Sequence, residues 1–264
     1  MAFSLRPAPS AFDREYTVSR VAMAQRRLLW DHLDHLLRIP GMDVLELNCG
    51  TGKESIHLAR NGHRVIATDM SPVMLSRARE RARQMGVEDR IVHEQLDLDD
   101  LEDRQWPFSF DLVLSGAGGL NTVDLDHLKY LVDPIADSLK PGGRFIAVVM
   151  PDRCLSETVH HFTHGRFGKA FARGRQDPIW NGLSGTGVAN WFHSPKTLET
   201  AFAHRFRLVR LAPIGFFVPP LSIEPRLLEK PGTLDNLAKL DRYAAHWKWA
   251  SRYSDHYLID LERI

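Results

Sequence analysis

The chain has 264 residues, of which 44% are hydrophobic and 25% charged, a composition typical of a globular protein with a sizeable core. Its 34 basic and 33 acidic residues give a formal net charge of +1, which disfavours a nucleic-acid partner because such binding needs a basic surface. Two cysteines are too few to build a disulfide framework or a metal site unaided, so we expect a reducing compartment and no bound metal.

The first part of the chain is predicted to form one helix. The opening ten residues lack the apolar stretch of a secretory signal, and no run of 18 apolar residues follows. We therefore expect a cytoplasmic protein without stable membrane insertion, and its oligomeric state stays open. Leucines recur at helical spacing over residues 18–38 until Pro40 and Gly41 end the pattern.

Strands and helices alternate over the next hundred residues. Short apolar runs predict strands buried on both faces, as in parallel sheets, at 43–47, 64–68, 90–93, 110–114 and 144–149. The clearest helix between them starts at Pro72, with Ser71 as its N-cap. A second helical pattern covers 125–139, where Pro134 predicts a kink or a new start at Asp133.

The region after the fifth strand breaks this rhythm. Residues 151–195 are rich in glycine, histidine and phenylalanine, and a connection of this length is typical of a functional lid. Within it, the aromatic run 191–193 is predicted to be a strand. Further strands are expected at 205–211 and 256–261, and a helix over 233–250.

These elements predict a single α/β domain with an open, mostly parallel seven-stranded sheet and helices on both faces. It starts with an N-terminal helical segment (1–40), followed by the core that carries the ligand site (41–150). A lid (151–195) is inserted after the fifth strand, and the remainder (196–264) completes the sheet and caps the substrate.

A glycine-rich turn follows the first predicted strand. The segment reads Glu46-Leu47-Asn48-Cys49-Gly50-Thr51-Gly52, with Ser55 three residues later. Glycines after a parallel strand let the main chain approach a ligand, and the helix that follows points its free N–H groups at that ligand. The spacing is an imperfect form of the dinucleotide-binding fingerprint. Taken alone, the two glycines are also explained as ordinary turn residues.

Two acids and a second turn follow later strands. Asp69 ends the second strand, where a carboxylate can accept hydrogen bonds from both hydroxyls of a ribose. Asp97 follows the third strand and is placed to accept from an adenine amino group. Residues 140–143, Lys-Pro-Gly-Gly, predict a tight turn into the fifth strand. The alternatives are that Asp69 caps a helix and that Asp97 belongs to a solvated acidic stretch.

Together these motifs make residues 42–149 resemble the class I S-adenosylmethionine-dependent methyltransferases. The resemblance implies a Rossmann-like fold with S-adenosylmethionine as its cofactor. It implies that the first loop wraps the methionine part, through Glu46, Asn48, Cys49, Gly50 and Gly52. It also implies that Asp69 holds the ribose, that the fourth strand ends over the sulfonium, and that the adenine lies among the residues after the second and third strands. The residues at the sulfonium would be Ser115 and Gly116, and those around the adenine would be Asp97, Met70, Leu96 and Leu98.

One position departs from the family pattern. Asn48 stands where the family has its first glycine. Asparagine tolerates a positive φ better than most residues, so we expect the turn to survive with a tighter pocket near the methionine tail. The resemblance also places an N-terminal aromatic residue against the cofactor, and Tyr16 is our choice, although core packing would explain it equally well.

The implied reaction is methyl transfer to a small organic acceptor, by O-, N- or S-methylation. A hydroxyl or a protonated amine would need a base to remove its proton. His193 is our candidate base, because it follows two aromatic residues just before a helix cap, and Asn121 is our candidate for orienting the acceptor. The alternatives are a structural histidine and an asparagine that caps a turn.

Two segments bear on the acceptor. Between 153 and 176 the lid has one acid, Glu157, and five basic residues: Arg153, Arg166, Lys169, Arg173 and Arg175. This bias indicates an anionic acceptor or a solvated basic face. The apolar run 213–220 indicates a wall over a hydrophobic acceptor or a segment that closes the core.

Two rival functions stay open. An NAD(P)-dependent oxidoreductase shares the glycine loop and the acid after the second strand, but it does not explain Glu46, Asp97 or the Pro-Gly-Gly turn. A non-catalytic S-adenosylmethionine-binding protein is kept open by Asn48, because a fold does not by itself fix a function.

Overall fold

The computed structural model describes residues 19–116, 118–175, 177–181, 188–220 and 232–264. Its strands are β1 (Asp43–Leu47), β2 (Arg64–Asp69), β3 (Ile91–Gln95), β4 (Phe110–Ser115), β5 (Leu139–Val149), β6 (Ile179–Asn181), β7 (Val188–Asn190), β8 (Phe206–Ile214) and β9 (His256–Arg263). Seven of them form one sheet in the order β3-β2-β1-β4-β5-β9-β8, and β6 pairs with β7 in a separate hairpin. Strands β1 to β5 run parallel, whereas β9 is antiparallel to both β5 and β8. The open, mostly parallel seven-stranded sheet is therefore confirmed.

The central strands are covered on both faces. All five residues of β1 are buried, and Val44 and Leu45, which are adjacent in this strand, belong to two different hydrophobic clusters. Because successive side chains point to opposite faces of a sheet, a strand packed on both sides needs apolar residues at nearly every position. This explains why the strand sequences show continuous apolar runs instead of alternation.

The helices are α1 (Arg20–Leu36), α2 (Lys53–Arg60), α3 (Pro72–Gln84), α4 (Leu125–Tyr130), α5 (Val132–Ser138), α6 (Leu155–Thr163), α7 (Phe167–Ala170), α8 (Pro195–Phe202) and α9 (Thr233–Ala244). Helix α3 begins as predicted, because Ser71 Oγ accepts a hydrogen bond from the Met74 N–H at 3.4 Å. The predicted interruption near Pro134 occurs slightly earlier, where α5 starts at Val132. Each helix in the described part of the chain is too short or too polar to span a membrane.

The second half of the chain differs from the predictions in three places. The helix expected over 233–250 ends at Ala244, and a separate 3-10 helix covers Lys248–Arg252. Residues 191–193 lie outside any strand, after β7 has ended. Strand β8 continues to Ile214 through Pro213, which a sheet tolerates because β8 is an edge strand.

A buried carboxylate ties α1 to the sheet. Asp260 on β9 is fully buried and accepts two hydrogen bonds from Arg144 on β5, at 2.8 and 2.5 Å. On its other side, His32 Nε2 of α1 lies 2.6 Å from Asp260 Oδ2. Removing one partner of such a pair leaves the other charge buried and uncompensated.

We predict that Asp260→Ala lowers the free energy of unfolding by about 3–5 kcal/mol, the usual cost of breaking a buried ion pair. The matched control is Glu262→Ala on the same strand, whose partner Arg207 is exposed, so its loss should be much smaller. Urea unfolding measures the free energy of unfolding of both variants, and equal losses would contradict the stabilising role of the buried Asp260.

Candidate functional site

The sheet order creates a cleft between the carboxyl ends of β1 and β4. From β1 the chain moves outwards through β2 to β3, whereas from β4 it moves to β5 on the opposite side. Ligands bind at such switch points in open α/β sheets, because the loops diverge there and leave a crevice. The loops after β1, β2 and β4 surround this cleft, and they carry most of the residues selected from the sequence.

The loop after β1 turns through left-handed backbone conformations. Asn48, Gly50 and Gly52 have φ values of 56°, 56° and 74°. Asparagine is among the few residues with a Cβ that tolerate this region, so Asn48 keeps the turn that a glycine would make. At Gly52 a Cβ would lie 2.9 Å from the Cβ of Ala78, and its absence lets α3 pack directly against the loop.

Asp69 connects the ends of two strands at the cleft. Its Oδ2 accepts a hydrogen bond from the Gly50 N–H and its Oδ1 accepts one from the Ser71 N–H, both at 2.9 Å. The buried carboxylate therefore lies against the glycine turn, where the sequence predicted that it would hold a ribose. The contact with Ser71 also supports the start of α3, so the structural and ligand-binding roles are compatible.

The end of β3 is held against the segment that follows β2. The Leu96 N–H donates to the main-chain oxygen of Asp69 at 3.3 Å, and the Gln95 side chain donates to the main-chain oxygen of Met70 at 3.2 Å. Met70 and Leu96, two of the predicted adenine neighbours, are therefore close to one another at the edge of the cleft.

The remaining predicted adenine contacts are not equivalent. Asp97 is half-buried, and its Oδ1 accepts a hydrogen bond from the Asp99 N–H at 3.3 Å, which caps a 3-10 turn. The side chain of Leu98 is buried in the hydrophobic core, so a cofactor contact by this residue would use its main chain, and its predicted role stays a prediction. Tyr16 lies outside the described residues.

Two further predicted loop residues have different surroundings. The side chain of Cys49 packs in the core, its N–H donates to Thr68 O, and its carbonyl accepts from Gly52 N, so Cys49 supports the turn, and its predicted cofactor contact stays a prediction. Gly116 lies next to the side chain of Glu54, because a Cβ on Gly116 would lie 3.5 Å from the Cγ of Glu54.

A charged cluster lies behind the glycine turn. Glu46 is buried and accepts a hydrogen bond from the Ser55 hydroxyl, and Glu54 accepts one from the Arg26 guanidinium. Burial and the neighbouring carboxylate of Glu54 raise the pKa of Glu46 well above its usual range. The sequence motif identified Glu46, but it missed Glu54 and Arg26, because nothing local distinguishes Arg26 from the adjacent Arg27.

Three buried polar atoms of this region have no hydrogen-bond partner among the described residues: Asn48 Oδ1, Ser115 Oγ and Arg26 Nη1. Two of them meet at Gly119, where a Cβ would lie 2.8 Å from Ser115 Oγ and 2.9 Å from Asn48 Oδ1. A buried polar group without a partner costs about 1–3 kcal/mol, so such a group in a cleft indicates a polar ligand.

Asn121 holds three segments together. Its side-chain amide donates to Met150 O at 3.0 Å and to Trp191 O at 2.6 Å, and its Oδ1 accepts from the Met150 N–H at 2.8 Å. Both amide protons and the oxygen are therefore engaged by main-chain groups. The predicted role of orienting the acceptor is corrected to a structural role, in which Asn121 fixes the end of β5 to the segment after β7.

His193 is also structural. It is buried, its Nε2 lies 2.9 Å from Val123 O, and its own carbonyl accepts a hydrogen bond from the Tyr257 hydroxyl at 3.0 Å. A ring nitrogen that faces a carbonyl must carry the proton, so Nε2 is a donor. Burial lowers the pKa of His193, which keeps the ring neutral. The prediction that His193 is a base is therefore corrected: His193 anchors the segment that follows β7.

Arg173 is not available to an acceptor. Its guanidinium donates two hydrogen bonds to Glu157 on α6, at 2.6 and 2.9 Å. It donates two more to Asp255, one to the carboxylate and one to the main-chain oxygen, both at 2.8 Å. This buried arginine fastens the lid helix to the residue just before β9, which explains one of the five basic lid residues.

Comparisons with known proteins agree with this geometry. Residues 44–143 match the family model of the methyltransferase domain. Demethylmenaquinone methyltransferase from Clavibacter sepedonicus is 34% identical over 142 residues, which cover 52% of this chain and 52% of that protein. The chain therefore spans about half the length of this curated relative.

Two solved structures extend the likeness in fold to nearly the whole chain. A geranyl diphosphate methyltransferase in complex with S-adenosylmethionine superposes with a TM-score of 0.59 and 17% identity, covering 93% of this chain and 86% of that one. An S-adenosylmethionine-dependent methyltransferase from Clostridium acetobutylicum ATCC 824 gives a TM-score of 0.60 and 13% identity, with 96% of each chain covered. Residues 44–143 thus match a methyltransferase domain, and the chain shares the Rossmann-like fold of these solved structures.

Proposed function

We propose that the whole protein binds S-adenosylmethionine at this cleft and transfers its methyl group to a small organic acceptor. The proposal is supported chiefly by the hydrogen bond from Gly50 to Asp69. It joins the carboxylate that would bind the ribose to the glycine turn of a methyltransferase domain. When bound, S-adenosylmethionine supplies an electrophilic methyl group on a positively charged sulfur. The protein then mainly aligns the two reactants, an effect worth about 7–11 kcal/mol in favourable cases.

The residues at the cleft fit the amino-acid tail of this cofactor, which carries a carboxylate and an ammonium group. Arg26 Nη1 is a buried donor of the kind that binds a carboxylate. Asn48 Oδ1 is a buried acceptor suited to an ammonium group. Burial and Glu54 raise the pKa of Glu46, and a positive ammonium group beside these carboxyls would favour the ionised form of Glu46.

At the other end of the cleft, Asp69 would accept hydrogen bonds from the ribose hydroxyls, and Asp97 from the adenine amino group. Met70 and Leu96 would contact the adenine, because two hydrogen bonds hold the end of β3 against the segment after β2: Leu96 N–H to Asp69 O, and the Gln95 side chain to Met70 O. The comparisons favour neither an oxidoreductase nor a non-catalytic binding protein, since the family model and the neighbours that are named by activity are methyltransferases.

The acceptor is proposed to bind beneath the lid formed by residues 151–195. Helix α6 exposes an apolar stripe of Leu155, Val159 and Phe162. Beside it, an open groove of about 600 Å³ is lined by Arg166, Lys169 and Arg175 among others. These surfaces support a small acceptor with an apolar body and an anionic group, two features that geranyl diphosphate, the compound named for the first structural neighbour, also combines.

We predict that Asp69→Ala weakens the binding of S-adenosylhomocysteine at least tenfold, because hydrogen bonds to a charged acceptor contribute about 1.5–3 kcal/mol each. Isothermal titration calorimetry measures the dissociation constant, and Asp69→Asn separates the loss of charge from any loss of folding. Asp103→Ala, an exposed acid in the same region, is the control and should leave affinity unchanged. Binding of NADH without S-adenosylhomocysteine by the wild type would overturn the proposal.

A second prediction separates the two ends of the cofactor. Arg26→Ala should weaken S-adenosylhomocysteine about 10- to 100-fold but leave 5′-methylthioadenosine unaffected, because the latter lacks the carboxylate that Arg26 would bind. The exposed neighbour Arg27→Ala is the matched control. Calorimetry with both ligands decides the point, and an equal loss for both would place Arg26 away from the amino-acid tail.

A further inference from the structure

His256 lies at the edge of the sheet where the methyl group would be transferred. It is the first residue of β9, and because β9 runs antiparallel to β5, its start lies at the edge where β4 and β5 end. Its Nε2 is 4.0 Å from the position of a Cβ on Gly118, three residues after the end of β4. The Met150 methyl group lies 3.4 Å from the same position. The imidazole therefore flanks the loop that follows β4.

The two ring nitrogens of His256 have different surroundings. Nδ1 is 3.2 Å from Asp255 Oδ2, and we assign the ring proton to Nδ1 because a carboxylate oxygen can only accept a hydrogen bond. Among the described residues Nε2 has no hydrogen-bond partner, and the side chain is 20% exposed. With the proton on Nδ1, the lone pair lies on Nε2, which faces the loop at Gly118, and this is the arrangement of a histidine general base with an orienting carboxylate.

Asp255 is held rigidly in this arrangement. Its Oδ1 accepts a hydrogen bond from Arg173 at 2.8 Å and its Oδ2 accepts one from Gln25 at 3.0 Å, while its N–H donates to Gly215 O at 3.1 Å. Burial by itself raises the pKa of Asp255, but His256 and Arg173 outweigh it and hold this pKa well below the usual range. The carboxylate therefore stays ionised beside the imidazole.

We propose that His256 is the general base of the methyl transfer, that Asp255 is its positioning residue, and that the acceptor presents a hydroxyl or a protonated amine. This rests on the proposed function. The acceptor oxygen or nitrogen forms a bond to the methyl carbon, and the carbon–sulfur bond breaks with its electron pair passing to sulfur. The acceptor's proton passes to Nε2 of His256 and from there to water.

Other titratable groups lie near this pair. Arg173 forms ion pairs with both Asp255 and Glu157. Burial raises the pKa of Cys154 to about 11, so this thiol stays protonated at neutral pH. Asp241 on α9 also interacts with Asp255, and burial raises its pKa to about 6. Since this titration overlaps the range in which a histidine ionises, Asp241→Asn is the necessary control.

The first test screens methyl transfer to a panel of small alcohols, phenols, amines and carboxylates by the release of S-adenosylhomocysteine. We expect turnover with hydroxyl or amine probes and a rate that falls on the acid side as Nε2 takes up a proton. His256→Gln should lower kcat about 10²- to 10⁴-fold, remove this acid limb, and leave S-adenosylhomocysteine affinity within about threefold. Asp241→Asn should keep the limb. Turnover of carboxylates alone, or an unchanged kcat in His256→Gln, would overturn the proposal.

The second test does not depend on turnover. Long-range ¹H–¹⁵N spectra of the wild type should contain a neutral histidine protonated on Nδ1 that disappears in His256→Gln and changes in Asp255→Asn. An Nε2-protonated ring for His256 would overturn the inference even if methyl transfer is observed. Failure of the wild type to bind S-adenosylhomocysteine would instead contradict the proposed function, so the two failures are distinguishable.

Discussion

The hydrogen bond from the Gly50 N–H to the Asp69 carboxylate is the contact on which the cofactor site depends. The left-handed residues Asn48, Gly50 and Gly52 turn the main chain after β1, and Gly50 N then donates to the carboxylate at the end of β2. A buried carboxylate needs such donors, because an uncompensated charge is costly away from water. The same bond therefore stabilises the loop and fixes the position of the acid that would bind a ribose.

The site also contains groups that the protein itself does not satisfy. Gly119 brings the loop after β4 so close to Asn48 and Ser115 that no side chain would fit there. Asn48 Oδ1 and Ser115 Oγ are thereby buried without partners among the described residues. Folding accepts this cost where a ligand supplies the missing bonds.

The parts of the fold and site that the sequence predicted are those with local causes. Continuous apolar runs identify the parallel strands, the glycine pattern identifies the turn that contains Asn48, and the end of the second strand identifies Asp69. Arg26 and His256 were missed because their roles depend on distances between segments far apart in the chain. Asn121 was chosen because it follows the fourth strand, and His193 because it follows two aromatic residues before a helix cap, but a sequence does not reveal which main-chain groups they satisfy. The helix was expected to reach 250 because Trp247 continues its apolar pattern, but Trp247 packs against Phe216 after the helix has ended at Ala244.

The lid and the proposed base share one buried charge network. Glu157 on α6 binds Arg173, Arg173 binds Asp255, and Asp255 holds the ring of His256. Asp255 cannot lose Arg173 without leaving a buried negative charge, and the same guanidinium binds Glu157, so the position of α6 and the orientation of the imidazole are set together. A ligand that contacts α6 therefore acts on the same network that directs Nε2 towards Gly118. This coupling explains why the most buried of the basic lid residues serves the protein's own carboxylates instead of an acceptor.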